Sequence, residues 1–461
     1  MTGVLGLAVL AMAVGYCLLA PFLRTRPPLS WPSYAGLALL VGAGLTVWML
    51  TTLAVVGVRP TSTVSLVVVV VLAAVGVAVA VVRPLRAAEP PVSTRAPDGG
   101  SVTVASAVAA CAAVVAALGA VTVLAASRST AWLDDTWFQW LPRGLMLQHQ
   151  GLSADVFTKV PGYISFVDFD YPLWWSVVTA DAFRAGTEMH GVATASALFF
   201  VAGIGALARL LHGLVRPVLL WPGLLLAMAA PNLINQTQSG GADLVLAVYL
   251  TVALVAGGAF VARGDALALA VGIAAAITAT SIKGEGLPQL LLYSVLLALF
   301  ALRENRRRVV LALAIPLAGV LGALPWRLWL ATHDAPGRIR YGPALHPVFM
   351  FDRADRIRPA LDSILRHVFE PRSWLVALPL LVVLTLFAAY RTRRVVWIGP
   401  LAVAVVGIAF WTVVYWAGPF EVHIWLATSV GRVVAVVPLL AAVAAPALAE
   451  AGLSRARGST T

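Results

Sequence analysis

Long apolar runs dominate the chain, and short polar connections separate them. A helix of about 20 apolar residues is long enough to cross the hydrocarbon core of a membrane. Thirteen runs reach or approach this length: 3–22, 35–57, 64–82, 103–126, 190–211, 217–231, 243–261, 265–281, 286–302, 308–329, 374–390, 395–417 and 431–449. The pattern predicts an all-α polytopic membrane protein with about thirteen transmembrane helices. The run 217–231 begins and ends in proline, which predicts a broken or tilted helix.

Composition supports the same class of protein. Hydrophobic residues make up 61% of the 461 positions and charged residues 11%, whereas a soluble domain carries roughly 25% charged residues. The mean hydropathy is +0.92. The net charge of +12 does not indicate nucleic-acid binding, because the arginines lie between apolar runs and not in one basic stripe.

The distribution of arginine predicts the orientation in the membrane. Seventeen arginines fall in or beside alternate connections: 23–34, 83–102, 212–216, 262–264, 303–307, 391–394 and the C-terminal tail. The short connections of the other side carry only Arg59, Lys283 and Arg432. Cytoplasmic connections are enriched in basic residues, so the N-terminus is predicted outside and the C-terminus inside.

These spans and connections predict the domain organisation. It comprises three accessory N-terminal helices (1–83), a Pro- and Gly-rich cytoplasmic linker (84–102), a main transmembrane domain (103–449) and a cytoplasmic tail (450–461). Two long segments, 127–189 and 331–373, are predicted to lie outside, and the first is expected to contain amphipathic helices. The second carries seven arginines, which indicates either an anionic ligand at the outer surface or contact with lipid headgroups.

The first outer loop contains the candidate catalytic acids. Asp134 and Asp135 directly follow the fourth apolar run. A carboxylate at the bilayer surface is suited to act as a general base that takes a proton from an incoming hydroxyl. Alternatively, the pair caps the next amphipathic helix. Trp174 and Trp175 suit an interfacial helix with indole rings at headgroup depth, or stacking on a sugar.

A divalent metal ion is a further candidate ligand of this loop. Asp168 and Asp170 are spaced as a carboxylate pair that could hold such a cation. An Asp-x-Asp triplet is also common by chance.

The rare lysines indicate an anionic ligand. Lys159 and Lys283 are the only two lysines against thirty arginines, and both fall on the predicted outer face. The ammonium group is a compact point charge that binds phosphate well. For Lys283, simple pairing with Glu285 is the alternative.

Two further charged residues stand at outer helix ends. Asp243 could be explained by the helix dipole alone, because an acid is favourable at a helix N-terminus. Arg432 could extend harmlessly to the membrane surface or grip a lipid phosphate.

The order of these motifs resembles a known family. The motifs are an acidic pair (134–135), Trp-Leu-Pro-Arg-Gly (140–144), Tyr-Pro (171–172), Ser-Gly-Gly-Ala-Asp (239–243), Lys-Gly-Glu-Gly (283–286) and a segment from His423 to Arg432. Together they resemble the GT-C glycosyltransferases, which include protein O-mannosyltransferases and lipid A aminoarabinose transferases. The resemblance covers about 103–449. It departs from the family pattern at Gly284, where the family has Asn, and in the spacing of His423 from Ser429.

The resemblance implies a function and roles for residues. It implies a GT-C-like bundle in the cell membrane that moves a sugar from polyprenyl phosphate to an extracytoplasmic glycan, lipid or protein, with inversion. Asp134 or Asp135 would be the base, and Asp134 aligns better with the family's first acid. The implied phosphate ligands are Lys283, Arg432 and Lys159, and the substrate contacts are Tyr171, Asp243, Glu285, Arg327 and His423. No cofactor is implied beyond the metal ion considered above.

Other functions remain open at this level. A transporter or flippase of a lipid-linked or anionic envelope precursor would need charged residues in the middle of its spans. The predicted spans are nearly free of charge, and ionisable groups gather at their outer ends. This favours chemistry at the surface. A polysaccharide polymerase or ligase of another membrane class, or an inactive scaffold, is a further alternative.

Overall fold

The computed structural model describes residues 2–23, 33–82, 102–152, 171–186, 188–333, 346–418 and 420–458. Within these ranges the chain forms helices and no β-strand, which confirms the predicted all-α class. The helices are α1 (Thr2–Leu23), α2 (Ala35–Val55), α3 (Ser62–Val82), α4 (Val102–Ala126), α5 (Leu141–Gln150), α6 (Trp174–Ala185), α7 (Met189–Leu211), α8 (Pro217–Met228), α9 (Pro231–Ser239), α10 (Ala242–Arg263), α11 (Ala266–Ile282), α12 (Gly286–Ala301), α13 (Arg306–Ala312), α14 (Ala314–Thr332), α15 (Pro347–Phe351), α16 (Ile357–Val368), α17 (Pro371–Trp374), α18 (Ala377–Thr392), α19 (Gly399–Ala417), α20 (Val422–Val433) and α21 (Val436–Gly458). A π-helical turn at Thr136–Trp140 leads into α5.

Nine helical segments of the described chain are long and apolar enough to cross a membrane. The protein is therefore a multi-pass membrane protein. Helices α8 and α9 meet at a bend of 51°, which matches the broken helix predicted for 217–231. Helices α11, α12 and α18 are apolar but shorter, so the total of thirteen spans stays a prediction.

The most apolar helix is also among the least buried. Helix α3 has a mean hydropathy of 3.1, yet only 17% of its most apolar window is covered by protein, whereas the figure for α7 and α10 is 78%. In water such an exposed apolar helix would have to pack against other apolar surface. Its outward face of valines and leucines instead fits hydrocarbon as the solvent.

Helix α2 packs into the centre of the bundle. It runs along α7 and α11. The hydroxyl of Tyr249 in α10 donates to the carbonyl of Leu40 at 2.9 Å, and the Trp48 indole donates to the carbonyl of Gly322 at 3.1 Å. The second of the three N-terminal helices thus belongs to the same packed core as the later helices.

The tryptophans of α6 are core residues. Trp174 and Trp175 are both 0% exposed, and their indoles donate to the carbonyls of Gly44 and Gly240 at 3.1 and 3.0 Å. The prediction of interfacial or sugar-stacking indoles is wrong for both. The reason is that α6 packs against α5 and α7 and does not lie alone on the surface.

Arginine side chains link several of the connections that the charge pattern assigns to one side. The links run from Arg263 to the carbonyls of Leu210 and His212, from Arg308 to those of Val261 and Ala262, from Arg216 to Glu450 and from Arg394 to Glu304, at 2.7 to 3.3 Å. Guanidinium groups thereby satisfy carbonyls at helix C-termini that have no partner within their own helix. These connections share one end of the bundle.

A polar pair joins α5 to α6, outside the nine spans. Gln148 Nε2 donates to Asp181 Oδ1 at 2.6 Å, and Gln148 Oε1 is buried with no hydrogen-bond partner among the described residues. Burial raises the pKa of Asp181 to about 6, although Gln148 and Arg184 act in the opposite direction. A protonated Asp181 could donate to Gln148 Oε1 and complete a two-bond ring.

We predict that Asp181→Asn removes a pH dependence of stability. The folded protein holds this proton more tightly than the unfolded chain. The free energy of unfolding of the wild type therefore falls by about 1–3 kcal/mol as the pH rises from about 4 through 6. Asparagine can make both bonds at any pH. Thermal unfolding of the detergent-purified protein from pH 4 to 8 measures the difference between the two proteins.

The exposed Asp362 provides the matched control. Its ion pair with Arg358 is largely solvated and such pairs contribute little, so Asp362→Asn should keep the wild-type slope. Equal slopes for Asp181→Asn and wild type would contradict the prediction.

Candidate functional site

Five charged side chains from distant parts of the sequence form one cluster. In the charged cluster, Arg432 Nη1 lies 2.9 Å from Asp135 Oδ2 and 3.2 Å from Asp243 Oδ2. Lys283 Nζ lies 2.8 Å from Asp243 Oδ1 and 3.8 Å from Glu285 Oε1. Carboxylates and cations alternate along this chain of contacts. The structure thus brings together five of the residues that the sequence singled out.

Asp243 is the centre of the charged cluster. It is 7% exposed, and each of its oxygens contacts a different cation, Lys283 or Arg432. The N-cap residue of α10 is Gly241, so Asp243 lies in the first turn of the helix and is not its N-cap residue. Its contacts hold the two cations in place.

The small residues before Asp243 determine where Asp135 lies. Gly240 has φ of +74°, a left-handed conformation that glycine adopts without strain. A Cβ there would lie 2.7 Å from the Ala131 side chain. The carbonyl of Ser239 accepts from the Leu133 amide at 3.2 Å and from the Thr136 hydroxyl at 3.3 Å. The Ser-Gly-Gly segment (239–241) therefore packs against the segment that carries Asp134 and Asp135 and fixes its position.

The two adjacent acids have different surroundings. Asp135 points to Arg432, and its side chain is 41% exposed. Asp134 is exposed and does not line the cavity beside the cluster. Asp135 makes no side-chain cap to the following helical turn. As the candidate general base, Asp135 fits the geometry better than Asp134. The resemblance to the family favoured Asp134.

Tyr171 ties the lysine turn to the first loop. Its hydroxyl donates to Glu285 Oε1 at 3.1 Å, and Lys283 Nζ lies 5.2 Å from the centre of its ring. Burial alone would lower the pKa of Lys283, but the carboxylates of Asp243 and Glu285 outweigh burial and raise it. Lys283 therefore stays protonated. It contacts both acids, and its contact with Asp243 is shorter than its contact with Glu285.

A cavity of about 400 Å³ opens beside the charged cluster. Its lining combines charged, aromatic and small polar side chains: Asp135, Gln139, Tyr171, Lys283, Glu285, Trp411, Tyr415, Phe420, Glu421, Ile424, Trp425, Thr428, Ser429, Arg432 and Val433. This volume lies within the range of about 300–1,000 Å³ for small-ligand pockets. Asp243 lies behind the lining.

Several neutral lining residues gave no signal in the sequence. Gln139, Trp411 and Tyr415 carry no charge, and they occupy ordinary positions in a loop and an apolar helix. The spacing of Trp411 and Tyr415, one helical turn apart at the outer end of a span, is the signal that could have revealed them.

Two arginines of the second long loop support the rim of the cavity. Arg353 and Arg356 donate to the carbonyl of Gly418 at 2.8 and 3.0 Å, and Arg356 also donates to that of Phe420 at 2.9 Å. The Arg358 side chain is 92% exposed and pairs with Asp362. An anionic ligand or lipid headgroup therefore remains a prediction for the exposed Arg358, Arg366 and Arg372, while Arg338 and Arg340 lie outside the described residues.

The remaining predicted residues are less central. The Arg327 guanidinium lies beside Gly284 and Tyr171, while its side chain is not part of the cavity lining. His423 is exposed on α20 and lies outside the lining. Three predicted ligands, Lys159, Asp168 and Asp170, lie outside the described residues. In the described ranges no three His, Cys, Asp or Glu side chains are grouped to hold a metal ion.

The chemistry of the site follows from its own residues. A half-exposed carboxylate, two cations and an aromatic wall share one cavity.

Comparisons of the chain with protein-family models, curated proteins and solved structures found no match.

We predict that Asp243→Asn strongly destabilises the protein. The change leaves Lys283 and Arg432 buried near each other without their shared carboxylate. Removing one partner of a buried ion pair costs about 3–5 kcal/mol. Thermal unfolding in detergent measures the effect, and Asp134→Asn is the control because that acid is exposed. A Tm of Asp243→Asn equal to that of the control would show that Asp243 does not organise the cluster.

Proposed function

We propose that this protein is an integral-membrane glycosyltransferase that moves a sugar from a polyprenyl-phosphate donor to an extracytoplasmic acceptor, with inversion. The observation that carries the proposal is the pairing of Asp135 and Arg432 on the wall of the cavity. A reachable carboxylate and a cation for a leaving phosphate lie side by side there. The ordered motifs that resemble GT-C enzymes support the same function.

The proposed reaction is a single displacement at the anomeric carbon. An acceptor hydroxyl oxygen attacks this carbon and passes its proton to Asp135. The bond between the anomeric carbon and the phosphate oxygen breaks, and the polyprenyl phosphate leaves with the electron pair. Arg432 and Lys283 stabilise the negative charge that develops on the leaving oxygen. Attack opposite the leaving group inverts the configuration.

Arg432 Nη2 has no hydrogen-bond partner among the described residues, whereas Nε donates to the carbonyl of Thr428 at 3.3 Å. Both carboxylate partners of Arg432 contact the same nitrogen, Nη1. A guanidinium presents five N–H donors in a planar fork, so the Nη2 edge can bind a phosphate oxygen while Asp243 stays in contact. Lys283 is 5% exposed and acts as a nearby point charge.

The proposed donor approaches from the lipid. Ile424 lines the cavity and is 67% exposed, so the cavity has an apolar edge on the outer side of α20. A polyprenyl tail could remain in the membrane while its phosphate reaches Arg432. The bias of arginine supports a plasma-membrane orientation with this end outside the cytoplasm.

Transport of a lipid-linked or anionic precursor is the competing function. It requires ionisable side chains along a path through the spans. Charged residues of the central helix α10 lie only at its ends, with Asp243 in the first turn and Arg263 in the last. Chemistry at one end of the bundle agrees better with this arrangement.

We predict that Asp135→Asn lowers the rate of sugar transfer by about 10²- to 10⁴-fold, the usual contribution of a general base. Asp134→Asn should retain most of the activity, because this acid lies outside the cavity. Release of radiolabelled sugar from a panel of polyprenyl-phosphate sugars measures the rate for the purified protein.

The outcomes separate the two functions. Loss of activity in Asp134→Asn alone would move the base to the neighbouring residue. Movement of the lipid across proteoliposomes without cleavage of any sugar–phosphate bond would overturn the glycosyltransferase and support transport.

A further inference from the structure

Three residues that line the cavity each carry a buried polar atom with no hydrogen-bond partner among the described residues. The atoms are Gln139 Nε2, Trp411 Nε1 and Glu285 Oε2. Gln139 and Trp411 are 4% and 3% exposed, and the Glu285 side chain is 14% exposed. An unsatisfied buried polar atom is costly, so such atoms in a folded protein call for an explanation.

The neighbouring polar groups of the lining are already satisfied. Tyr415 and Ser429 share a hydrogen bond of 2.7 Å between their hydroxyls, and the Thr428 hydroxyl donates to the carbonyl of Ile424 at 3.0 Å. The unsatisfied atoms are thus not a general property of this wall. A ligand in the cavity could supply the hydrogen bonds that these three lining residues lack.

The three atoms define the chemistry of that ligand. The indole nitrogen is a donor only, the amide nitrogen is a donor, and the carboxylate oxygen is an acceptor. A ligand that satisfies all three must offer oxygen acceptors to Gln139 and Trp411 and a hydrogen-bond donor to Glu285. A hydroxyl group can accept and donate, so a ring with several hydroxyls meets all three needs.

The aromatic side chains of the lining suit the same kind of ring. Five aromatic residues line the cavity: Tyr171, Trp411, Tyr415, Phe420 and Trp425. Pockets for small ligands combine such walls with a few polar groups that fix the orientation. A sugar has the same combination of C–H faces and hydroxyl edges.

Charge restricts the class of sugar. The charged cluster contains three carboxylates and two cations, and therefore has a net charge of −1 while its acids are ionised. Both cations are paired, and the unsatisfied oxygen of Glu285 is itself anionic. The donor phosphate takes the remaining edge of Arg432, so a second anionic group, a carboxylate on the sugar, would be repelled by Glu285 and would find no further cation there.

We infer that Gln139, Trp411 and Glu285 form a sugar-binding subsite that takes a neutral, hydroxylated sugar and disfavours acidic sugars. This inference rests on the proposed function, because it assigns the sugar of the donor to this part of the cavity. Gln139 and Trp411 bind hydroxyl oxygens of the sugar, and Glu285 accepts a hydrogen bond from one of its hydroxyls. Tyr171 holds the other oxygen of Glu285 and so positions it.

The test measures binding of three lipids to the full-length protein in detergent: a short polyprenyl phosphate, the same lipid carrying a neutral hexose, and the same lipid carrying the matching hexuronic acid. We expect the wild type to bind the hexose lipid at least about tenfold more tightly than the hexuronic lipid. Trp411→Phe and Gln139→Met should each weaken hexose-lipid binding by about 3- to 10-fold, the value of one neutral hydrogen bond. Neither change should alter binding of the bare lipid.

Trp416→Phe is the matched control. Its indole donates to the carbonyl of Met350 at 2.8 Å, outside the cavity lining, so this change should leave all three affinities as in the wild type. Glu285→Gln removes the anionic oxygen and should narrow the gap between the hexose and hexuronic lipids.

Each remaining outcome is decisive. Wild-type hexose affinity in both Trp411→Phe and Gln139→Met, or equal wild-type affinity for the neutral and acidic lipids, would overturn the subsite while bare-lipid binding still supports the proposed function. Failure of the wild type to bind any of the three lipids would contradict the proposed function and the subsite together.

Discussion

The charged cluster must bury opposite charges together at one end of an otherwise apolar bundle. Isolated charges are very costly away from water, and only close pairing makes their burial tolerable. Asp243 meets this constraint by contacting Lys283 and Arg432 at once. The other two acids of the charged cluster pair with these same cations, since Asp135 contacts Arg432 and Glu285 contacts Lys283. The geometry of the candidate site is therefore a consequence of electrostatic necessity in an apolar environment.

The apolar packing beneath the cluster serves the same arrangement. The Ser239–Gly241 segment leaves room for the acidic segment to lie close to the start of α10, and Trp175 fixes this segment through the carbonyl of Gly240. Arg353 and Arg356, from a different loop, bind the carbonyl of Gly418 at the rim of the cavity. Helix packing, the glycine turn and the arginine contacts thus all fix segments around the same cavity. They orient its few polar side chains at the end of a lipid-embedded bundle.

Much of the architecture could be predicted from the chain. Apolar runs marked the helices, proline marked the break before α9, and charge bias grouped the connections by side. Adjacent Asp134 and Asp135 could not be distinguished, because successive helical residues point about 100° apart and only the contact with Arg432 reveals which one faces inward. The prediction for Trp174 and Trp175 was wrong because the sequence pattern does not distinguish an interfacial tryptophan from one that packs against neighbouring helices. Gln139 and Trp411 became visible only when hydrogen-bond partners could be counted.

The contact between Asp135 and Arg432 joins residues separated by 297 positions. Because a ribosome releases the chain from its N-terminus, the first of these residues leaves the ribosome long before the second. The early loop must therefore remain without its cation through most of membrane insertion. The charged cluster is thus completed late in biogenesis: a chain truncated before α20 could insert most of its helices and still lack the arginine that completes the site.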